Sequence, residues 1–146
     1  MSNIKYLTKA IALSAVNTNG LELEYVSDEF KDDKEIVLVA VRQNGYSFRY
    51  ACKRLKADKE IAKIAIINDG WALKYAAKEL QNDKEFIIEI LSQNGMVLEH
   101  VSDSLRNDKD VTLAAVKQNS KAIDFISDDL RYTYIAKSFI HFIQMD

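Results

Sequence analysis

Few side chains in this chain of 146 residues could do covalent or metal chemistry. Cys52 is the single cysteine, which excludes a disulfide within the chain and any multi-cysteine metal site. Cys52 shares its repeat position with Ser27, Ala77, Ser102 and Ser127, all small, so it reads as a buried small residue rather than a nucleophile. The histidines are His100 and His141, and His100 occupies a column otherwise filled by Tyr25, Tyr50, Tyr75 and Phe125. That column reads as core packing. The recurring triplets Asp33-Lys34-Glu35, Asp58-Lys59-Glu60, Asp83-Lys84-Glu85 and Asp108-Lys109-Asp110 bring carboxylates together. They lack the Asp-x-Asp-x-Asp-Gly form of a calcium loop and suit helix starts, where a carboxylate accepts unpartnered backbone N–H groups. No catalytic residue, cofactor or metal is expected.

The cations are more suggestive. Repeat two carries Lys34, Arg42, Arg49, Lys53, Arg54 and Lys56 against Asp33 and Glu35, a net +4, while repeats one and four are each −3, repeat three neutral and repeat five −1. A basic block between acidic ones suits an acidic segment or a phosphorylated partner. Arg42, Arg49, Lys53 and Arg54, with Tyr46 and Trp71, are the residues expected to carry such binding. The plainer alternatives are a solvated face or attraction between neighbouring repeats. The second functional class is a helical-repeat array that binds nucleic acid. Against it, the net charge is −2 and one repeat in five is clearly basic.

The element that must position these residues is a repeat of 25. Asn19-Gly20, Asn44-Gly45, Asp69-Gly70, Asn94-Gly95 and Asn119-Ser120 recur at that spacing, as do the acidic triplets. Five repeats follow, 8–32, 33–57, 58–82, 83–107 and 108–132, with an aromatic-rich cap from 133 to 146. Each opens with a helix, and in repeats two to five Asp33, Asp58, Asp83 and Asp108 suit its N-cap. The body of that helix is apolar nearly all round, as in Ile36 to Val41, which means burial on several sides. The Asn-Gly pair predicts a helix stop with glycine in the left-handed conformation. A shorter helix follows, and Ser27, Ser102 and Ser127 look like caps at which it breaks and restarts.

Where the repeats differ, they face something else. Leu21, Tyr46, Trp71, Met96 and Lys121 form one such column, read as either a cover for the next repeat or a partly exposed edge. Lys63, Ile67, Trp71, Lys74 and Lys78 are particular to repeat three. Lys63 and Glu89 interrupt apolar helices one repeat plus one residue apart and are expected to meet as a buried pair. The lysines and short apolar run near the N-terminus faintly suggest a signal peptide, but Ile11, Ala15 and Val16 lie in register with Ile36, Ala40 and Val41. The cytoplasm is the expected address.

Gln43-Asn44-Gly45 with Phe48, Tyr50 and Ala51, and the run Trp71 to Leu80, carry a V-x-x-N-G-x-x-L-x-Y-A pattern followed by L-x-x-D-[KR]-E. This resembles the domain-of-unknown-function family 4116 over residues 8 to 132. Repeat one departs from it at Thr8-Lys9-Ala10 and repeat five at Ser120. The resemblance implies short helical repeats of a kind often found in larger proteins of bacteria and large viruses, and no activity. The expected fold is all-α, one domain of stacked helical-hairpin repeats over 1–146. The expected role is a non-catalytic module that binds a protein or peptide.

Overall fold

The structure is a computed structural model that describes Tyr6, residues 8–134 and Lys137. Each repeat opens with a long helix: Lys9–Thr18, Lys34–Gln43, Lys59–Asn68, Lys84–Leu91 and Lys109–Gln118. Thr8, Asp33, Asp58, Asp83 and Asp108 cap them, each side chain accepting backbone amides of the first turn. Ile36, Val37, Ala40 and Val41 are fully buried, as are Ile61, Ala62, Ala65 and Ile66. Ile11, in the same column as Ile36 and Ile61, is 52% exposed because no further described repeat covers it. Among the described residues, no helix is long and apolar enough to cross a membrane.

The second segment is not a short α-helix but a six-residue 3-10 helix: Gly20–Tyr25, Gly45–Tyr50, Gly70–Tyr75, Gly95–His100 and Ser120–Phe125. Its start is set by the residue before it. Asn19, Asn44, Asp69, Asn94 and Asn119 are extended, and each side-chain oxygen accepts the amide two residues on. Three residues per turn put positions three apart on one side, so Gly45, Phe48 and Ala51 all point inward. The chain then breaks and restarts as one turn at Asp28–Lys31, Leu55–Ala57, Lys78–Gln81 and Asp103–Arg106. The break comes at the expected serines, and Ser27 caps it by accepting the Phe30 amide at 3.4 Å, but Ser102 makes no capping bond and the break also occurs where Ala77 stands in the serine position. Residues 128–134 are helical. The expected cap over 133–146 otherwise lies outside the described residues, apart from Lys137. Tyr134 is seen hydrogen-bonded to Thr112 at 3.1 Å.

The glycines do not adopt the left-handed conformation; none has a positive φ. Closeness explains them instead. A Cβ on Gly20 would lie 2.4 Å from the Ala40 carbonyl oxygen, on Gly45 2.3 Å from that of Ala65, and on Gly95 2.3 Å from that of Ala115. The same carbonyls accept the amides of Asn44, Asp69 and Asn119 that close the long helices. Each helix end is thus pressed against the glycine of the repeat before. Repeat four is the exception. Ile90 stands where the others have alanine, its helix stops at Leu91, and Gly70 faces the His100 ring, 2.4 Å from where its Cβ would be. The long helices of repeats three and four accordingly pack less closely than the other pairs.

The triplets also link repeats, through their lysines. Lys9 bridges Asp33 and Glu35, both at 2.8 Å; Lys34 bridges Asp58 and Glu60, both at 2.9 Å. Lys59 reaches Asp83 at 2.7 Å, and Lys84 reaches Asp108 and Asp110 at 2.9 and 2.7 Å. Repeat one keeps the lysine though it lacks the acidic cap. At the other end of the helices, Gln118 accepts the Gly95 amide at 2.6 Å, Gln43 accepts that of Gly20 in the same way, and Asn68 donates to Val41 at 3.0 Å. Lys63 and Glu89 do pair, at 2.6 Å, but their side chains are 33% and 52% exposed, so the expected burial is absent. They straddle the looser junction, at its surface.

Gly45→Ala and Gly95→Ala are expected to cost about 1–3 kcal/mol in urea unfolding, because a backbone carbonyl cannot swing aside. Gly70→Ala should recover most of its loss when combined with His100→Ala, since there a side chain is the obstacle. Unchanged midpoints for Gly45→Ala and Gly95→Ala would remove the close-approach explanation.

Acid should weaken the stack. Asp83 and Asp108 are held below the usual carboxylate value of 3.8 by Lys59 and Lys84. Partial burial pushes Asp33 and Asp58 up, but Lys9, Lys34 and the capped amides more than offset it, leaving both below that value. A carboxyl with a depressed folded value stabilises at pH above its unfolded value and ceases to do so as pH falls through the folded one. Urea midpoints should therefore hold near neutrality and drop below about pH 4, less steeply in Lys34→Met/Asp58→Asn. A drop of the same steepness in that variant would contradict the ladder.

Candidate functional site

Stacking the 3-10 helices side by side makes one edge of the array. A residue just after the turn packs on the residue 29 positions on, in the next repeat. Tyr46 meets Tyr75 edge to face with ring centroids 5.8 Å apart, and Trp71 meets His100 at 4.8 Å and a tilt of 48°. Both readings of that column therefore hold. It covers the next repeat, and it stays open to solvent, with Trp71 55% exposed. The tyrosine column, expected in the core, lies at this edge, where Tyr50, Tyr75 and Phe125 pack against the core without being enclosed by it. Tyr25 is 41% exposed, and Tyr50, Tyr75, His100 and Phe125 are half-buried. The cause is the three-residue turn, which sends Phe48 inward and leaves Tyr50, two residues later, beside the inward row.

Cations sit on these rings. The Arg49 guanidinium lies 5.2 Å from the centroid of Tyr46, 5.1 Å from Tyr50 and 5.8 Å from Tyr75, and donates to the Tyr46 hydroxyl at 2.9 Å. Tyr75 donates to the same hydroxyl at 3.3 Å. Lys74 Nζ stands 5.1 Å from Trp71 and 4.9 Å from Tyr75. Each such contact is worth about 0.5–1 kcal/mol at an exposed place and fixes the cation's position. Tyr50 completes the edge by donating to Glu24 at 3.0 Å.

Of the residues expected to bind, Tyr46, Arg49 and Trp71 fall together here. Arg42, Lys53 and Arg54 do not join the ring contacts. Arg42 is exposed at the end of its long helix, where its carbonyl accepts Asn68. Lys53 is exposed on the connection, and Arg54 pairs with Asp32 at 2.9 Å. Tyr50 and Tyr75 belong to the edge but read as core in sequence. Lys74 is particular to repeat three, and its place 25 residues after Arg49 is the sequence signal that assigns it to this edge.

Lys56 approaches the Tyr75 ring at 5.9 Å, yet its task is structural. Its Nζ donates to the Arg49 carbonyl at 2.7 Å, and burial pushes its pKa down. Gln81 and Arg131, in the same repeat position, likewise donate to the carbonyls of Lys74 and Asp124. Cys52 is half-buried, not buried, and its thiol lies 2.6 Å from Asp32, which that contact and Arg54 hold below the ordinary carboxylate range.

Chemically, the edge offers flat rings, held cations and exposed indole: a surface for contact. Among the described residues no cluster of His, Cys, Asp and Glu is arranged to hold a metal. The His100 ring lies against Trp71 at a tilt and brings its Cδ2 edge up to Gly70.

No curated protein and no solved structure is matched by the chain. A family described as "Domain of unknown function (DUF4116)" matches residues 8–56, 49–81, 58–106 and 83–131, overlapping segments that span most of the stack. By that match, and by the repeats it covers, the chain belongs to the DUF4116 family.

Proposed function

We propose that this protein is a non-catalytic interaction module that binds a protein or peptide partner along the edge of repeats two and three. The observation that carries this reading is the exposed Trp71, steadied by His100 and Lys74, beside Arg49 held among three tyrosine rings. Tryptophan, tyrosine and arginine are the residues that most often dominate binding energy at protein interfaces. Side chains already fixed by ring contacts lose less rotamer freedom on binding, which favours affinity. The partner's contacts would come from Tyr46, Arg49, Trp71 and Lys74, with Tyr50 and Tyr75 as the floor.

The same chemistry of rings and cations can hold single-stranded nucleic acid. Glu24 bonded to Tyr50 at one end of the edge weighs against a polyanion.

Random peptides displayed on phage, selected on the wild-type protein, test the reading. Enriched peptides are expected to lose about tenfold or more in affinity for Trp71→Ala and for Arg49→Gln. Binders indifferent to both variants would exclude this edge. Tighter binding to an oligo-uridine strand than to any selected peptide would favour the nucleic-acid reading instead.

A further inference from the structure

Arg49 and Lys74 occupy one repeat position, and its five members are Glu24, Arg49, Lys74, Glu99 and Asp124. All five are exposed. The column therefore presents two cations at its centre with acidic side chains on both flanks. The backbone around the position is alike in every repeat, so the order of signs is set by side chains: Glu24 accepts the Tyr50 hydroxyl, and Arg49 and Lys74 sit on tyrosine rings. The two cations are also the ones fixed by rings. Both approach Tyr75, with its centroid 5.8 Å from Arg49 and 4.9 Å from Lys74, so they stand no more than about 11 Å apart.

From this we infer that the partner is an extended acidic peptide with two carboxylate side chains three positions apart, bound along the stack over Arg49 and Lys74. The inference rests on the interaction reading above and names its ligand. In a polyproline-like extended chain, residues three apart share a face at a spacing of about 9 Å. That matches one repeat of packed helices, about 8–10 Å. Arg49 gives one N–H to Tyr46 and can offer the rest of its fork to a carboxylate, while Lys74 supplies a point charge. Tyr75, which both cations approach, and Trp71 beside Lys74 can take an apolar or aromatic residue within the acidic pair. Glu24 and Glu99 set the length. A third acidic group, one further repeat along in either direction, would meet a like charge, so a long uniform polyanion is rejected.

Trp71 is the single tryptophan, so its emission reports binding directly. Short acetylated peptides with two glutamates three apart in a serine and glycine background are titrated against the whole chain. Controls space the glutamates one or six apart, or carry a single glutamate. The three-apart peptide should bind about tenfold tighter than the controls, more strongly at low salt. Lys74→Glu should lose that preference, with circular dichroism checking the fold, and Arg49→Gln serves as the milder second variant. Glu99→Lys should gain affinity, about fivefold or more, for a peptide with a third glutamate three residues further on.

Equal affinity for every spacing, or no effect of Lys74→Glu and Arg49→Gln, overturns the inference. If neutral phage-selected peptides still depend on Trp71, the interaction reading survives that failure. If no peptide depends on Trp71, both fall.

Discussion

The stack depends on one close approach. At three of the four junctions between the five repeats, the carbonyl that ends a long helix lies where the preceding repeat's glycine would otherwise carry a Cβ. Because the carbonyls belong to Ala40, Ala65 and Ala115, small side chains stand on both sides of the contact. This brings the helix ends near enough for Gln43 and Gln118 to accept the amides of Gly20 and Gly95. It also sets the offset at which Lys9, Lys34, Lys59 and Lys84 meet the acidic cap one repeat on. Surface ion pairs of this kind each contribute little, but a ladder of them penalises any slip in register. Where the alanine becomes Ile90, the approach loosens, Gly70 meets His100, and Lys63 with Glu89 spans the gap.

That geometry also builds the edge. Fixed spacing between successive 3-10 helices puts Tyr46 on Tyr75 and Trp71 on His100, with a cation from each central repeat settling onto the rings. The scaffold residues are shared by the repeats and say nothing of function. The residues that change from repeat to repeat while keeping the same backbone give the edge its particular rings and charges, and the order of signs along the Glu24 to Asp124 column is the sharpest example.

Much of the fold was legible in the sequence. The period, the aspartate caps and the apolar helix bodies are local patterns, and each maps onto a helix in the structure. The glycines misled because an Asn-Gly pair signals a left-handed stop just as well as it signals contact with a neighbour, and only the neighbour's position separates the two. The tyrosine column misled for a related reason. Aromatic residues in register look like core, and whether a 3-10 or an α-helix carries them decides which way they face. Lys34 and Lys59 were visible in the triplets, but their role lies between repeats, out of reach of a pattern read along one. Arg42, Lys53 and Arg54 lie near Arg49 in sequence, but a stack divides such neighbours among its helix ends, connections and edge.

If neighbour contact is what gives each repeat its structure, one repeat alone should have none. A peptide of residues 58–82, compared with the whole chain by far-ultraviolet circular dichroism and by Trp71 emission, tests this most directly. The peptide is expected to show an unfolded spectrum and the emission of an indole in water, while the chain shows helix and a shifted tryptophan. A peptide that folds to the same helical content as the intact repeat would contradict the dependence on neighbours.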